Sequence, residues 1–583
     1  MTTRIQTVAW ASRNHERPFR RPALQLLALA ATCVFAAPAA LAQEFDPDSL
    51  LAHVRYLASD ELAGREAGES GADAAAAYIA RAFEAYGLEA LGSDGYLQPF
   101  EITTTVAIDA DSRLVFESSR GTRSLKLYEE WLPFSFSGAG SLAGSTYRAG
   151  YGLGADSYGG VPDDGSLLIV VLRGGTPDDF DPHGSGVDPS PRRKATTARD
   201  QGAEAVLITV SRISVPQPGD PPHSVGIPAI QVIETDELVE WLDDEDLVVT
   251  LEAAVEPVRA TAYNVAGKLD GRDERLADEA IVIGAHYDHL GLGGPGSLAP
   301  DSEEPHNGAD DNASGTAVLL GLAEYFAAAP ERRPARSLVF VAFSAEEMGL
   351  LGSEYFVSHP PLPLEKVTAM VNFDMVGRLR DGKVQVFGTE TAEEFSALLD
   401  SLDVESPLTL SHVGDGYGPS DQTSFYARQI PVLHLFTGTH SEYHRPEDDW
   451  VLINSEGLAE VSALAAELIT ELGDWPGKLT LVKQERRQAS GGGGYGPYLG
   501  TIPDFGEVEG GGLRLSGVRE GGPAETAGLQ AGDVVIEFGG KEVLNIYDYT
   551  YALRDHAPGD TVMIKVRRDG DVLELTAVLG KRN

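Results

Sequence analysis

Apolar positions along this chain change period several times, and each change marks a different kind of element. From about Asp46 to Phe100 they recur at helical spacing, most clearly in GADAAAAYIARAFEAYGL, where Gly87 is placed to end the helix. From about Trp131 to Pro257 the chain is punctuated by glycine and proline and carries short β-rich runs, SLLIVVLRGG, GAEAVLITV and GIPAIQVI. Between about Thr261 and Trp475 strands alternate with helices. The strands are EAIVIGAHYDH, RSLVFVAFSAEE, VTAMVNFDMVG, KVQVFG and PVLHLFTG; the helices include SGTAVLLGLAEYFAAA and EGLAEVSALAAELITEL. That alternation predicts an α/β sheet covered by helices. The glycine-rich QERRQASGGGGYG predicts a flexible linker. Beyond it, from about Tyr495, come GGPAETAGLQAGDVVIEFGGKEV and a strand, DTVMIKVRRDGDVLELTAVL.

The first 42 residues have another pattern: arginines up to Arg20 and Arg21, an apolar run from Ala23 to Ala37, and ALA at Ala40 to Ala42. These are the three parts of a cleavable secretory signal peptide, and the run is too short and alanine-rich for a membrane span. Six segments follow: signal peptide 1–42, the N-terminal part of the main domain 43–130, a β-rich insert 131–257, the α/β domain 258–476, a linker 477–494 and a C-terminal domain 495–583. The expected location is secreted or periplasmic. Cys33 is the sole cysteine and lies within the signal segment, so the rest of the chain has no disulfides. A net charge of −44 repels phosphate backbones and anionic lipids, which argues against nucleic acid as a partner.

Chemistry-bearing residues gather in the α/β segment. GAHYDHLG offers His286 and Asp288, HNGADDNASG offers Asp310 and Asp311, NFDMVG offers Asp374, and SEYHRPEDD offers His444. VFVAFSAEEMGLLGSEYF adds Glu346 and Glu347 directly after an apolar strand. A helix N-terminus capped by Ser344 is one account of that acidic pair. Together, however, His286, Glu346, Glu347 and Asp374 all fall at strand ends, where open α/β sheets collect ligands. Imidazole and carboxylate ligands without cysteine suit zinc, manganese or cobalt at a hydrolytic centre.

In this order, AHYDH, GADDNASG, SAEEMGLLGS, NFDMVG and SEYHRPEDD resemble the di-zinc aminopeptidase family of secreted bacterial leucyl aminopeptidases, which also includes glutamate carboxypeptidases. The insert resembles a protease-associated domain, and the last segment resembles a bacterial PDZ domain. The resemblance implies two zinc ions per chain, with manganese or cobalt as substitutes, bridged by Asp310. His286 and Asp374 would complete one metal, Glu347 and His444 the other. It further implies a cis peptide between Asp310 and Asp311, Asp288 orienting His286, and Asp448 doing the same near His444. Glu346 would be the general base and Tyr417 an oxyanion donor; His289, His306, His434 and His440 are left as structural or pocket residues. The implied activity is removal of N-terminal residues from peptides. The alternatives are a carboxypeptidase of the same family and a catalytically weak peptide-binding protein on the same scaffold. The PDZ segment would bind peptide C-termini around Leu499 and Gly500, on a tether that makes rigid docking unexpected.

Overall fold

The computed structural model describes residues 44–158, 168–178, 180, 188–217, 220, 223–294, 296–299, 302–482, 497–504, 506, 508–519 and 521–581. The expected signal peptide and most of the linker lie outside the described residues. The chain opens with two helices, α1 (Pro47–Leu57) and α2 (Ser70–Tyr86). Asp46 caps the first by accepting the N–H of Ser49, and Gly87, at φ 78°, closes the second as the periodicity predicts. Strand β1 (Leu97–Ile108) alternates buried and open positions, so one face is covered, and it leads into the insert.

Among the described residues the insert is an eight-stranded sheet with apolar clusters on both faces. Its sheet reaches further upstream than the expected start at 131. The hairpin Arg113–Ser118 and Gly121–Leu125 belongs to it, because Leu114, Phe116 and Leu125 fill the same core as the fully buried Trp131. Helix α3 (Pro191–Asp200) lies on this sheet. The chain returns through β2 (Val255–Leu269), which pairs antiparallel with β1 over its length.

Then come β3 (Ala280–His286), α4 (Gly315–Ala328), β4 (Ser337–Phe343), α5 (Leu351–Ser358), β5 (Val367–Phe373), β6 (Lys383–Phe387), β7 (Thr409–Val413), α6 (Gln422–Ala427), β8 (Val432–Phe436) and α7 (Ser455–Asp474). Of these, β3, β4, β5, β6, β8, α4 and α7 coincide with the runs picked out above, whereas β7, α5 and α6 were not anticipated. Glu89–Ala90, β2, β4, β3, β5, β8, β6 and β7 lie side by side in that order, and β1 makes the ninth strand of the sheet. Strands β3, β4, β5 and β8 are parallel. They read as unbroken apolar runs because α1, α2, α4 and α7 cover one face while α5 and α6 pack on the other.

Among its described residues the C-terminal domain has a six-stranded sheet with helix α8 (Ile546–Arg554). The run expected as one strand is two, Thr561–Arg568 and Asp571–Val578, paired as a hairpin. Asp569 and Gly570 both have positive φ, 52° and 90°, as a two-residue turn between right-twisted strands requires.

Candidate metal centre

The carboxyl ends of β3, β4 and β5 converge. His286 is the last residue of β3, and Asp374 follows the last residue of β5. After β4 the chain turns sharply at Ala345, held at φ 55°, and α5 does not begin until Leu351. Glu346 and Glu347 therefore occupy a turn rather than a helical first turn, so the capping account fails. Their N–H groups donate to the two oxygens of Asp288, at 3.2 and 3.4 Å. Asp288 thus shapes the acidic turn, while its backbone carbonyl, 3.2 Å from Nδ1 of His286, orients that ring.

The fourth contribution is an irregular turn, Ala309–Ser314, ahead of α4. Here the structure differs from the expectation by one residue. Asp311, not Asp310, faces the histidines, and the cis peptide joins Asp311 to Asn312. The buried Asp448 accepts the N–H groups of both Asp310 and Asp311, at 2.9 and 3.1 Å. Asn312 ties the turn to the end of β5 by donating to the Phe373 carbonyl at 2.9 Å. Asp310 is turned the other way: it accepts from the Gly377 N–H and the Ser314 hydroxyl, and its other oxygen lies 3.3 Å from His440. Asp448 therefore supports the Asp310–Asp311 backbone and not His444.

Among the described residues two groups of three donors share Asp311, one with His286 and Asp374 and one with His289 and Glu347, and His444 lies against the same Asp311 and Glu347. Nε2 of His286 lies 3.4 Å from one Asp311 oxygen and 3.5 Å from Asp374. Nε2 of His444 lies 3.3 Å from the other Asp311 oxygen and 3.3 Å from Glu347. Nδ1 of His444 is 2.8 Å from the Gly296 carbonyl, which leaves Nε2 to face the cluster. These spacings exceed an ordinary charged hydrogen bond of about 2.7–2.9 Å. They fit donors arranged about 2.0–2.1 Å from a tetrahedral zinc, whose edges are then about 3.4 Å. Nε2 of His286 and Oδ1 of Asp374 are buried without a hydrogen-bond partner, as metal donors would be.

The adjacent glutamates have opposite electrostatics. Burial pushes the Glu346 carboxyl well above the usual range; His286 opposes this, and Glu347 and Asp374 add to it. Burial and Asp311 also press on Glu347, but His289 and His444 pull it down to about 2. Burial works against charge on His286, yet Glu346 and Asp374 outweigh it and raise its pKa.

Two residues that sequence reasoning passed over belong here. His289, left as a structural or pocket residue, has Nδ1 2.6 Å from Glu347, a hydrogen-bond spacing that braces this carboxylate. Tyr443 stacks on His444 with ring centres 3.8 Å apart. Burial raises its phenol pKa, and Asp311, Glu347, Asp374 and Glu346 follow as causes, so it stays a protonated donor beside the cluster. Tyr417, the expected donor, packs its ring 4.7 Å from Tyr426 with the Arg519 guanidinium 4.8 Å above it. Adjacency to His444 was the available signal for Tyr443. His434 hydrogen-bonds near Asn372 and His306 pairs with Ser297, consistent with structural roles.

Residues 264–469 match Peptidase family M28, and residues 497–579 match a PDZ domain. The chain thus carries an M28-type peptidase domain followed by a PDZ domain. It is 28% identical over 317 residues to Aminopeptidase YwaD of Bacillus subtilis, covering 51% of this chain and 63% of the relative. It is 30% identical over 224 residues to Probable aminopeptidase YDR415C of Saccharomyces cerevisiae, covering 36% and 58%. The chain thus spans less than two-thirds of the length of these curated relatives. Among solved structures, the aminopeptidase from Aneurinibacillus sp. strain AM-1 matches with a TM-score of 0.49 and 21% identity over 78% of this chain and all of that one.

Proposed function

We propose that this protein is an exported metallo-aminopeptidase that removes N-terminal residues from peptides at a two-zinc centre. The observation that carries the reading is the pair of donor groups joined through the two oxygens of Asp311, at spacings suited to ligands rather than to hydrogen bonds. His286 and Asp374 would hold one ion, Glu347 and His444 the other, with Asp311 common to both. When bound, such a pair acidifies a water and polarises the scissile carbonyl.

The chain's own groups do the rest. Glu346, whose Oε2 is 4.0 Å from Nε2 of His286, stands beside the donor groups without being one of them. It takes the proton from the attacking water and delivers it to the leaving amine. The Tyr443 hydroxyl donates to the carbonyl oxygen as charge develops there. His289 and Asp288 hold Glu347 and the acidic turn in place. Buried carboxylates around the site favour a substrate whose free terminus is an ammonium. Export rests on the N-terminal pattern; among the described residues no helix is long and apolar enough to cross a membrane.

Metal analysis should give two ions per chain. Digestion of a free peptide and its N-acetylated twin, read by mass spectrometry, should show the free peptide shortening from its amino end and the blocked one resisting. One metal in fully active protein, or shortening from the carboxyl end, would overturn the respective part of the reading.

A further inference from the structure

A cavity of about 1100 Å³ reaches the metal centre at Glu347, and three parts of the chain line it. Glu347 and His289 line it on the peptidase side, His223 comes from the insert, and Val508, Arg514 and Tyr547 come from the PDZ domain. The volume slightly exceeds the roughly 300–1,000 Å³ of pockets that bury a single drug-sized ligand. It suits a short peptide.

The PDZ domain reaches this position through a built interface rather than a loose tether. Arg199 on α3 pairs with Asp548 on α8 at 3.1 Å, and both side chains are nearly fully buried (9% and 1% exposed). Arg193 pairs with Asp555 at 2.6 Å. The guanidinium of Arg192 stacks 4.3 Å from the Tyr547 ring and that of Arg193 4.7 Å from Tyr551. Asn545 donates to the Ser224 carbonyl at 2.8 Å, and Arg519 pairs with Asp415 of the peptidase domain at 2.8 Å. A buried ion pair is retained only with good geometry and further hydrogen bonds, and Arg199 meets both conditions through Asp200 and the Val225 carbonyl.

We infer that the PDZ domain is a fixed wall of the substrate chamber and limits the length of peptide admitted, an inference that rests on the aminopeptidase reading above. A peptide whose amino end lies at the metal centre meets Val508, Arg514 and Tyr547 after a few residues, so short peptides fit and longer ones collide. This differs in sign from a tethering role. If the domain held peptide C-termini near the site, detaching it would reduce cleavage of long substrates; if it is a wall, detaching it raises that cleavage.

Two full-length variants detach it from opposite sides: Arg193→Glu with Arg199→Glu on the insert, and Asp548→Asn with Asp555→Lys on the PDZ domain. Neither touches the metal centre, so metal content and hydrolysis of a leucine chromogenic amide report whether each variant folds. The assay is kcat/KM for leucine-headed peptides of about two to twelve residues, the longest being enough to extend beyond the chamber. For the unaltered protein we expect efficiency to fall with length, and for both variants the long-to-short ratio to rise by roughly tenfold or more, a scale on which steric discrimination is commonly felt. Small-angle scattering should show the unaltered chain compact and both variants extended. A flat length profile in the unaltered protein, a ratio that is unchanged or falls once scattering shows detachment, or an unaltered chain that already scatters as separate domains would each overturn the wall. Absence of cleavage of even the amide by metal-loaded protein would overturn the aminopeptidase reading, and the wall with it.

Discussion

Arg65 is fully buried and its guanidinium is shared among four backbone carbonyls. It donates to Tyr287 at 2.6 Å, Asn307 at 2.7 Å, Gly308 at 3.0 Å, and Leu57. Tyr287 adjoins His286, and Asn307 and Gly308 lead into the turn that presents Asp311, so one side chain fixes two of the loops that carry the metal donors. Burial lowers its pKa to about 10, with Asp288, Asp311, Asp448 and Glu347 opposing, so it remains charged at neutral pH. In Arg65→Met the stem is kept and the donors are lost. Each carbonyl left unpaired costs about 1–3 kcal/mol, and entering water recovers part of the sum. The net loss should be about 3–5 kcal/mol, the range for removing one partner from a buried charged network. Ligands whose supports are loosened should also hold metal about 10–100-fold less tightly. Denaturant unfolding of metal-stripped protein, followed through the peptidase-domain transition, measures the first effect; competition with a chelator measures the second. Arg65→Lys keeps the charge but not the planar fork and should fall between. If Arg65→Met cost less than about 1 kcal/mol and retained metal normally, the bracing argument would be refuted.

Asp311→Asn should lose most bound metal, whereas Asp310→Asn should retain it; equal losses would show that the choice between the two neighbours is wrong. Glu346→Gln should keep both ions and lose activity by about 10²–10⁴-fold, the usual contribution of a general base, while Glu347→Gln loses metal. Tyr443→Phe should lower kcat by about 10²–10³-fold, as loss of one oxyanion donor does, and Tyr417→Phe should leave it close to the starting value. His53, against the Tyr78 hydroxyl at 2.7 Å, has its pKa lowered to about 4 by burial. The unfolded chain therefore gains a proton first, so this contribution is complete above pH 6.5 and is lost as pH falls towards 4. Up to about 3 kcal/mol is at stake, and His53→Gln should flatten the fall in melting temperature over that window.

The peptidase sheet was legible because parallel strands covered on both faces must be apolar throughout: IVIGA, LVFVAF and TAMVNF announce themselves without any partner in view. The types of ligand were legible for a related reason, since strand ends are where such sheets gather charged groups. Which of two adjacent aspartates turns inward was not legible. That depends on Asp448, 138 residues further along the chain, gripping the backbone of the turn. The same limit hid Arg65, whose four acceptors are carbonyls with no side-chain signature, and Tyr443, whose stacking on His444 is a tertiary contact. It also hid the docked PDZ domain, because a glycine-rich linker reports only the freedom of the linker. Periodicity and residue chemistry act over a few neighbouring positions and can be read along the chain. The direction of a side chain in an irregular turn, and the pairing of α3 with α8, are decided by partners that only the folded backbone brings together.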